Sequence, residues 1–233
     1  MLRLLLASRS PARLATLRSA GVTPLVRVSD VDEDAVLRDA RERYGDLEPV
    51  DAVLVLARAK AEEVARAVEA DGIPDGTADD TTVSDDEASA APEPDLLVGC
   101  DSMLELDGEV LGKPADADEA RARWRAMRGR VGVLHTGHWL IDLRDTQDGG
   151  TGATFGATAS TTVHFADLSD AEVDAYVATG EPLHVAGAFT VDGLGGPYVE
   201  RVEGDHHNVV GISLPLVREL LGEVGVGWHE LRD

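Results

Sequence analysis

Two short apolar runs end abruptly at residues that carry chemistry, and these breaks constrain the chain more than any other feature. Leu2 to Ala7 stops at Ser8-Arg9-Ser10-Pro11, and Leu96 to Cys100 stops at Asp101-Ser102. Each run reads as a buried strand. After the first, Ala12 to Ala20 has helical character, with Pro11 suited to the first turn, Ser10 to the N-cap and Gly21 to the stop. Strand, polar turn and helix start together present unpaired backbone N–H groups and a positive dipole end, which suits an anion. A carboxylate at the carboxyl end of the second strand, Asp101, stands where α/β proteins hold ligands.

The remaining pattern mixes strands and helices. Leu25 to Ser29 reads as a strand leading into an acidic loop, Asp30-Val31-Asp32-Glu33-Asp34, and Asp51 to Ala70 as a long helix. Met103 to Leu111 reads as a hairpin turning at Asp107-Gly108. Asp116 to Met127 reads as a helix, and Val131 to Leu143 and Thr154 to Phe165 as long strands joined by a Gly-rich loop. Ser169 to Ala178 carries a capping box, with Glu172 three residues after Ser169. Turns dominate Gly187 to Gly211, and Leu214 to Leu221 is a last helix. Residues 71–95 are polar, acidic and without apolar period, and read as a flexible surface insertion into a single domain spanning 1–233. This order predicts an α/β fold on a mixed sheet.

Composition narrows the function. The 233 residues suit one large domain or two small lobes, and 43% hydrophobic content builds a sizeable core. Aromatics are only 4%, so Leu, Val and Ala must fill most of that core. A formal net charge of −23 argues against non-specific nucleic-acid binding and against anionic membranes. No apolar run approaches the roughly 20 residues that span a bilayer, and the apolar start is too short for a signal peptide. A single cysteine, Cys100, excludes an internal disulfide and an all-Cys metal site. A cytoplasmic, soluble protein is the expectation.

Of 21 basic side chains only Lys60 and Lys113 are lysines. Against an arginine background, a retained lysine points to a compact, hydrated charge that a planar guanidinium does not replace. Lys113 lies in Gly112-Lys113-Pro114, after a hairpin that can return it beside Asp101. Ser8, Arg9, Ser10 and Arg13 at a helix start have the parts of a phosphate site. Glu33 and Asp101 can supply the carboxylates of a Mg²⁺ site, although Asp30, Asp32 and Asp34 are equally acidic and spacing does not choose among them. The histidines point away from a metal dyad. His135 and His138 fall on opposite faces of a strand, and the adjacent His206 and His207 are expected to diverge. Cys100, inside an apolar strand, reads as a buried, inert thiol.

These motifs, in this order, resemble the Maf family of nucleoside triphosphate pyrophosphatases. The resemblance starts with Leu6-Ala7-Ser8-Arg9-Ser10-Pro11-Ala12-Arg13 and continues through Asp30-Val31-Asp32-Glu33, Leu56-Ala57-Arg58-Ala59-Lys60-Ala61 and Val98-Gly99-Cys100-Asp101-Ser102. It extends through Leu111-Gly112-Lys113-Pro114 and His135-Thr136-Gly137-His138 to Tyr176-Val177-Ala178-Thr179-Gly180-Glu181-Pro182, Ala186-Gly187-Ala188-Phe189, Gly204-Asp205 and Asn208-Val209-Val210-Gly211. Both lysines fall on its motif positions.

The resemblance implies a two-lobed fold related to inosine triphosphate pyrophosphatases, with an extended bent sheet, helices on its flanks, a central cleft and often a homodimer. It implies hydrolysis of non-standard or surplus nucleoside triphosphates to monophosphate and pyrophosphate with Mg²⁺ or Mn²⁺. By motif, Asp101 would activate water, Glu33 and Asp101 would hold the metal, and Ser8, Arg13, Lys60 and Lys113 would bind phosphates. The chain departs from the family at Ser102, where threonine or glutamine is common, at Val185, often lysine, and at Asp192, where one subgroup has a glutamine linked to base choice. Ser102 and Asp192 are therefore the candidate specificity positions. The family is also associated with septum formation, so the rival reading is a nucleotide-binding regulator with weak or no catalysis. A further rival is an acidic interaction module that docks through the 71–95 segment.

Overall fold

A computed structural model describes residues 1–71 and 93–232. Residues 72–92, nearly all of the expected insertion, lie outside the described residues. The flanks of that segment are regular. Asp71 closes a helix, and Asp95 exchanges hydrogen bonds with the Arg3 backbone, accepting from its N–H at 2.6 Å and donating to its carbonyl at 2.9 Å.

The element order is β1 (Leu4–Ala7), α1 (Pro11–Ser19), β2 (Leu25–Val26), α2 (Glu33–Tyr44), α3 (Pro49–Asp71), β3 (Leu96–Leu106), β4 (Glu109–Leu111), α4 (Ala117–Met127), β5 (Val131–Asp142), β6 (Thr154–Phe165), α5 (Asp170–Ala178), β7 (Val199–Glu203), α6 (His206–Val210) and α7 (Leu214–Glu223). One seven-stranded sheet runs β2-β1-β3-β5-β6-β7, with β4 paired to β3. The β1 pairings with β2 and β3 are parallel, and all others are antiparallel. The expected mixed α/β fold is therefore present.

Three strands, β3, β5 and β6, run the length of the molecule, and different cores form along them. At one end Leu4, Leu6, Leu17, Val98, Cys100 and Leu221 pack between the sheet and α1 and α7. On the opposite face Leu5, Ala7, Ala61, Val64 and Leu97 pack under α3. At the far end Leu104, Trp124, Phe165, Val173 and Tyr176 pack under α4 and α5. The few aromatics concentrate there. Trp124 meets Phe165, Tyr176 and Tyr198 edge-on at 5.5–5.9 Å, and its indole N–H donates to the Ala188 carbonyl at 2.7 Å.

Several elements differ from expectation. Glu33 lies in no loop but opens α2, because Asp32 caps that helix by accepting from the Ala35 N–H at 3.0 Å, and Glu33 and Asp34 suit its positive end. Asp101 does not end its strand. β3 continues to Leu106, but its parallel partner β1 stops opposite Gly99, so Asp101 lies just past the carboxyl end of the parallel pairing. The second strand is only Leu25–Val26. β7 and α6 occupy a region that reads as turns. The Ser169–Glu172 capping box forms as expected.

Candidate active site

β1 delivers Ser8 to a gap in the sheet, beside the middle of β3. There α1 begins, with Ser10 accepting from the Arg13 N–H at 3.4 Å. Arg13 turns back under the sheet and is 9% exposed. Its Nε donates to the Gly211 carbonyl at 2.6 Å, Nη1 to the Cys100 carbonyl at 2.8 Å and to Ser8 Oγ at 3.1 Å, and Nη2 to Ser102 Oγ at 3.0 Å. A guanidinium has five N–H donors, so Arg13 keeps one for a ligand while its charge stays in place. Ser102 Oγ continues the network to Thr136 Oγ1 at 2.9 Å, which reaches the Asn208 carbonyl at 3.1 Å. Thr136 and Asn208 carry no role in the sequence reading, because a threonine on a strand and an asparagine in a turn have no distinctive pattern there.

The other face of β3 carries an ion-paired group. Lys60 on α3 places its ammonium against Asp101 Oδ1 and 2.7 Å from Glu33 Oε1. The Asp101 and Lys60 side chains are 11% and 13% exposed, and Glu33, at 54%, forms the open rim. Helix and sheet approach this closely because β3 and β5 present glycines to α3. A Cβ on Gly99 would lie 2.9 Å from Ala61 Cβ, and one on Gly137 would lie 2.6 Å from the Leu54 nitrogen. Burial pushes the Asp101 carboxyl above its ordinary range, with Lys60 and Arg13 opposing that shift. Cys100 is buried and its thiol is pushed up to about 11 by that burial, which agrees with an inert role.

Among the predicted residues, the fold thus joins Glu33, Lys60 and Asp101 on one face, and Ser8, Arg13 and Ser102 on the other. Lys113 is exposed beyond β4, and continuing the Leu104–Leu111 register puts it level with Ser102. Asp192 is exposed in the 190–195 loop, and no hydrogen bond or ion pair ties it to the Asp101 group among the described residues. That loop is pinned by Glu181, which accepts from Thr190 Oγ1 at 2.5 Å, Leu194 N at 3.0 Å, Gly195 N at 3.1 Å and Tyr176 Oη at 2.9 Å.

The histidines divide as the strand argument requires at one pair and not at the other. His135 and His138 face opposite sides of β5, His135 toward Glu105 and Ser160 and His138 toward Ser213 N. His206 and His207 do not diverge. They lie in α6, where successive side chains are closer in direction than on a strand, and their rings stand 3.8 Å apart.

A family model described as Maf-like protein matches residues 3–224. The chain belongs to the Maf family. It is 52% identical to a nucleoside triphosphate pyrophosphatase of Nocardia farcinica, over 98% of this chain and 95% of that one. It is 50% identical to proteins of the same name from Streptomyces avermitilis, over 98% of this chain and 94% of the relative, and Rhodococcus jostii, over 99% and 96%. No helix among the described residues is long and apolar enough to cross a membrane.

Proposed function

We propose that this Maf-family chain hydrolyses a nucleoside triphosphate between its α and β phosphates, releasing monophosphate and pyrophosphate, as housekeeping of the cytoplasmic nucleotide pool. The observation that carries this reading is the Lys60 ammonium held between Asp101 and Glu33, with Arg13 of α1 close enough for its charge to act on Asp101. The shared name of relatives about half identical in sequence supports it.

The site suits the charge movement of this reaction. Water attacks the α-phosphorus, the bond to the bridging oxygen breaks, and the electron pair leaves on pyrophosphate. Asp101, buried and aimed at the gap, orients the water and takes its proton. Lys60 and Lys113, the Arg13 charge, Ser8 Oγ and the first N–H groups of α1 stabilise the oxygens that gain charge.

A divalent cation fits the donor set. Glu33 and Asp101 are hard oxygen ligands already converging on one positive charge, the kind of set that Mg²⁺ or Mn²⁺ takes together with substrate phosphates. When bound, such an ion would polarise the phosphoryl oxygens and keep Asp101 ionised. The formal charges of Lys60 and Arg13 only balance those of Asp101 and Glu33, so attraction for a polyphosphate rests on Lys113, the α1 terminus and the metal brought with the substrate. A homodimer belongs to the same reading.

Asp101→Asn tests it. Pyrophosphate release is expected to fall about 100-fold or more, while nucleotide binding, followed by calorimetry, persists. Full turnover in the variant would remove Asp101 from the mechanism. Binding without turnover in the wild type, across a panel of nucleotides with Mg²⁺ or Mn²⁺, would favour the regulator instead.

A further inference from the structure

A second polar group shares the sheet face of Asp101 and takes no part in the chemistry above. Side chains alternate along a strand, so Asp101, Met103 and Glu105 point to one side. Met103 pairs with His135 on β5, and His135 pairs with Ser160 on β6. The three polar side chains join in a line. His135, 5% exposed, places Nδ1 2.8 Å from Ser160 Oγ and Nε2 3.0 Å from Glu105 Oε2. Ser160 itself is exposed, Glu105 is partly so, and Met103 lies between this line and Asp101.

Proton inventory fixes what this line presents outward. A carboxylate only accepts, so the proton shared with Glu105 sits on His135 Nε2. In a neutral ring Nδ1 is then the acceptor, and the Ser160 hydroxyl spends its one proton on it. What remains at the surface are the lone pairs of Ser160 Oγ and the free oxygen of Glu105. With the ring neutral, the exposed edge is therefore a set of acceptors without a donor. Ser160 is two strands across and two residues along from Asp101, on the order of 12 Å over the sheet, a span that covers a nucleotide from its α-phosphorus to the far edge of its base. Met103 offers the apolar, adaptable flank against which a ring can lie.

We propose that Ser160, positioned by His135 and Glu105, reads the substrate's base and selects an exocyclic amino group over a carbonyl at the same ring position. An amino group donates to these lone pairs, whereas a carbonyl would face them acceptor to acceptor. The inference rests on the nucleotide hydrolysis proposed above and deepens it.

The test is kcat/KM for pyrophosphate release from two matched pairs, CTP against UTP and ATP against ITP, in the wild type, Ser160→Ala and Glu105→Gln. The wild type should prefer the amino member of at least one pair. Ser160→Ala, at an exposed position, should reduce that ratio about tenfold, the scale of one hydrogen bond. Glu105→Gln can donate to His135 Nε2, which moves the ring proton to Nδ1 and turns the Ser160 hydroxyl outward as a donor, so its ratio should shift toward the carbonyl member. A residue that merely supports the sheet would scale all four substrates alike. Release of pyrophosphate from no nucleotide would sink the proposed function and this inference together. Turnover without amino preference in the wild type, or with the wild-type ratio kept in Ser160→Ala, would overturn this inference alone.

Discussion

His138 illustrates how a single buried ring ties stability to pH. Its Nδ1 N–H donates to the Thr136 carbonyl at 3.0 Å, and its Nε2 accepts from the Ser213 N–H at 2.8 Å. Protonating Nε2 would set one N–H against another. Burial first, and the Arg13 charge second, lower its pKa to about 3. An unfolded histidine titrates near about 6.5, so below that pH the unfolded chain binds a proton that the folded chain refuses. The contribution of His138 is complete above about pH 6.5 and is lost as pH falls toward the folded value, by about 1.4 kcal/mol per unit. Urea unfolding of His138→Gln, which keeps an acceptor, should therefore lose about 2 kcal/mol less than the wild type between about pH 6.5 and 5. Equal losses would mean that His138 is not the titrating group. The sequence places this histidine in a family-like motif and in a metal dyad that the strand geometry argues against, but not in this role, because its partners are backbone groups. The same blindness hides the anchoring of Arg13. Its acceptors include the carbonyls of Cys100 and Gly211, 87 and 198 residues away, and a carbonyl has no residue signature. Lys60 and Asp101 are legible because a charged side chain at an unusual place in a pattern is itself the signal, whereas spacing does not separate Glu33 from Asp30, Asp32 and Asp34 and only the family resemblance singles it out.

The contact between α3 and the sheet decides whether that charged group exists at all. α3 rests on glycine at Gly99 and Gly137, and its Lys60 reaches Asp101 only while the two backbones stay close. Gly99→Ala would force α3 outward, costing about 1–3 kcal/mol. Turnover should fall more than tenfold even where the protein remains folded. Gly222→Ala in the last turn of α7 is the control, since nothing lies within 4 Å of the added Cβ and alanine is favoured over glycine at a helical position, by up to about 1 kcal/mol. Melting temperature and pyrophosphate release should move down together in the first variant, and the melting temperature should rise in the second. Unchanged activity in Gly99→Ala would show that the Lys60–Asp101 contact is dispensable. The long strands and capped helices at this scale were readable from apolar period and cap chemistry. The full length of β3 does not show in the sequence, because Asp101 and Ser102 look like a stop when their partners, Lys60 and Arg13, lie far away in sequence. β7 and α6 do not show in the sequence because three of the five residues of Val199–Glu203 are charged and α6 has only five residues, too few to show a period.

Across the whole molecule, a net charge of −23 opposes the approach of a polyanionic substrate, while the site supplies attraction only over a few ångströms. The two effects have different ranges, so salt separates them. The screening length falls from about 30 Å at about 0.01 M to about 8 Å at about 0.15 M. Over that interval the distant carboxylates are screened from the incoming nucleotide, while Lys60, Arg13 and the α1 terminus, which form the proposed phosphate site, are screened much less. KM for the metal–nucleotide complex should therefore decrease as salt rises from the lower to the higher value, the reverse of a basic nucleotide-binding surface. Stability should rise over the same interval, because self-repulsion among the carboxylates relaxes. Steady-state kinetics and urea unfolding at matched ionic strengths check both. A KM that increases with salt would mean that local attraction, not the global field, governs capture, and that the acidity of this chain is electrostatically remote from its site.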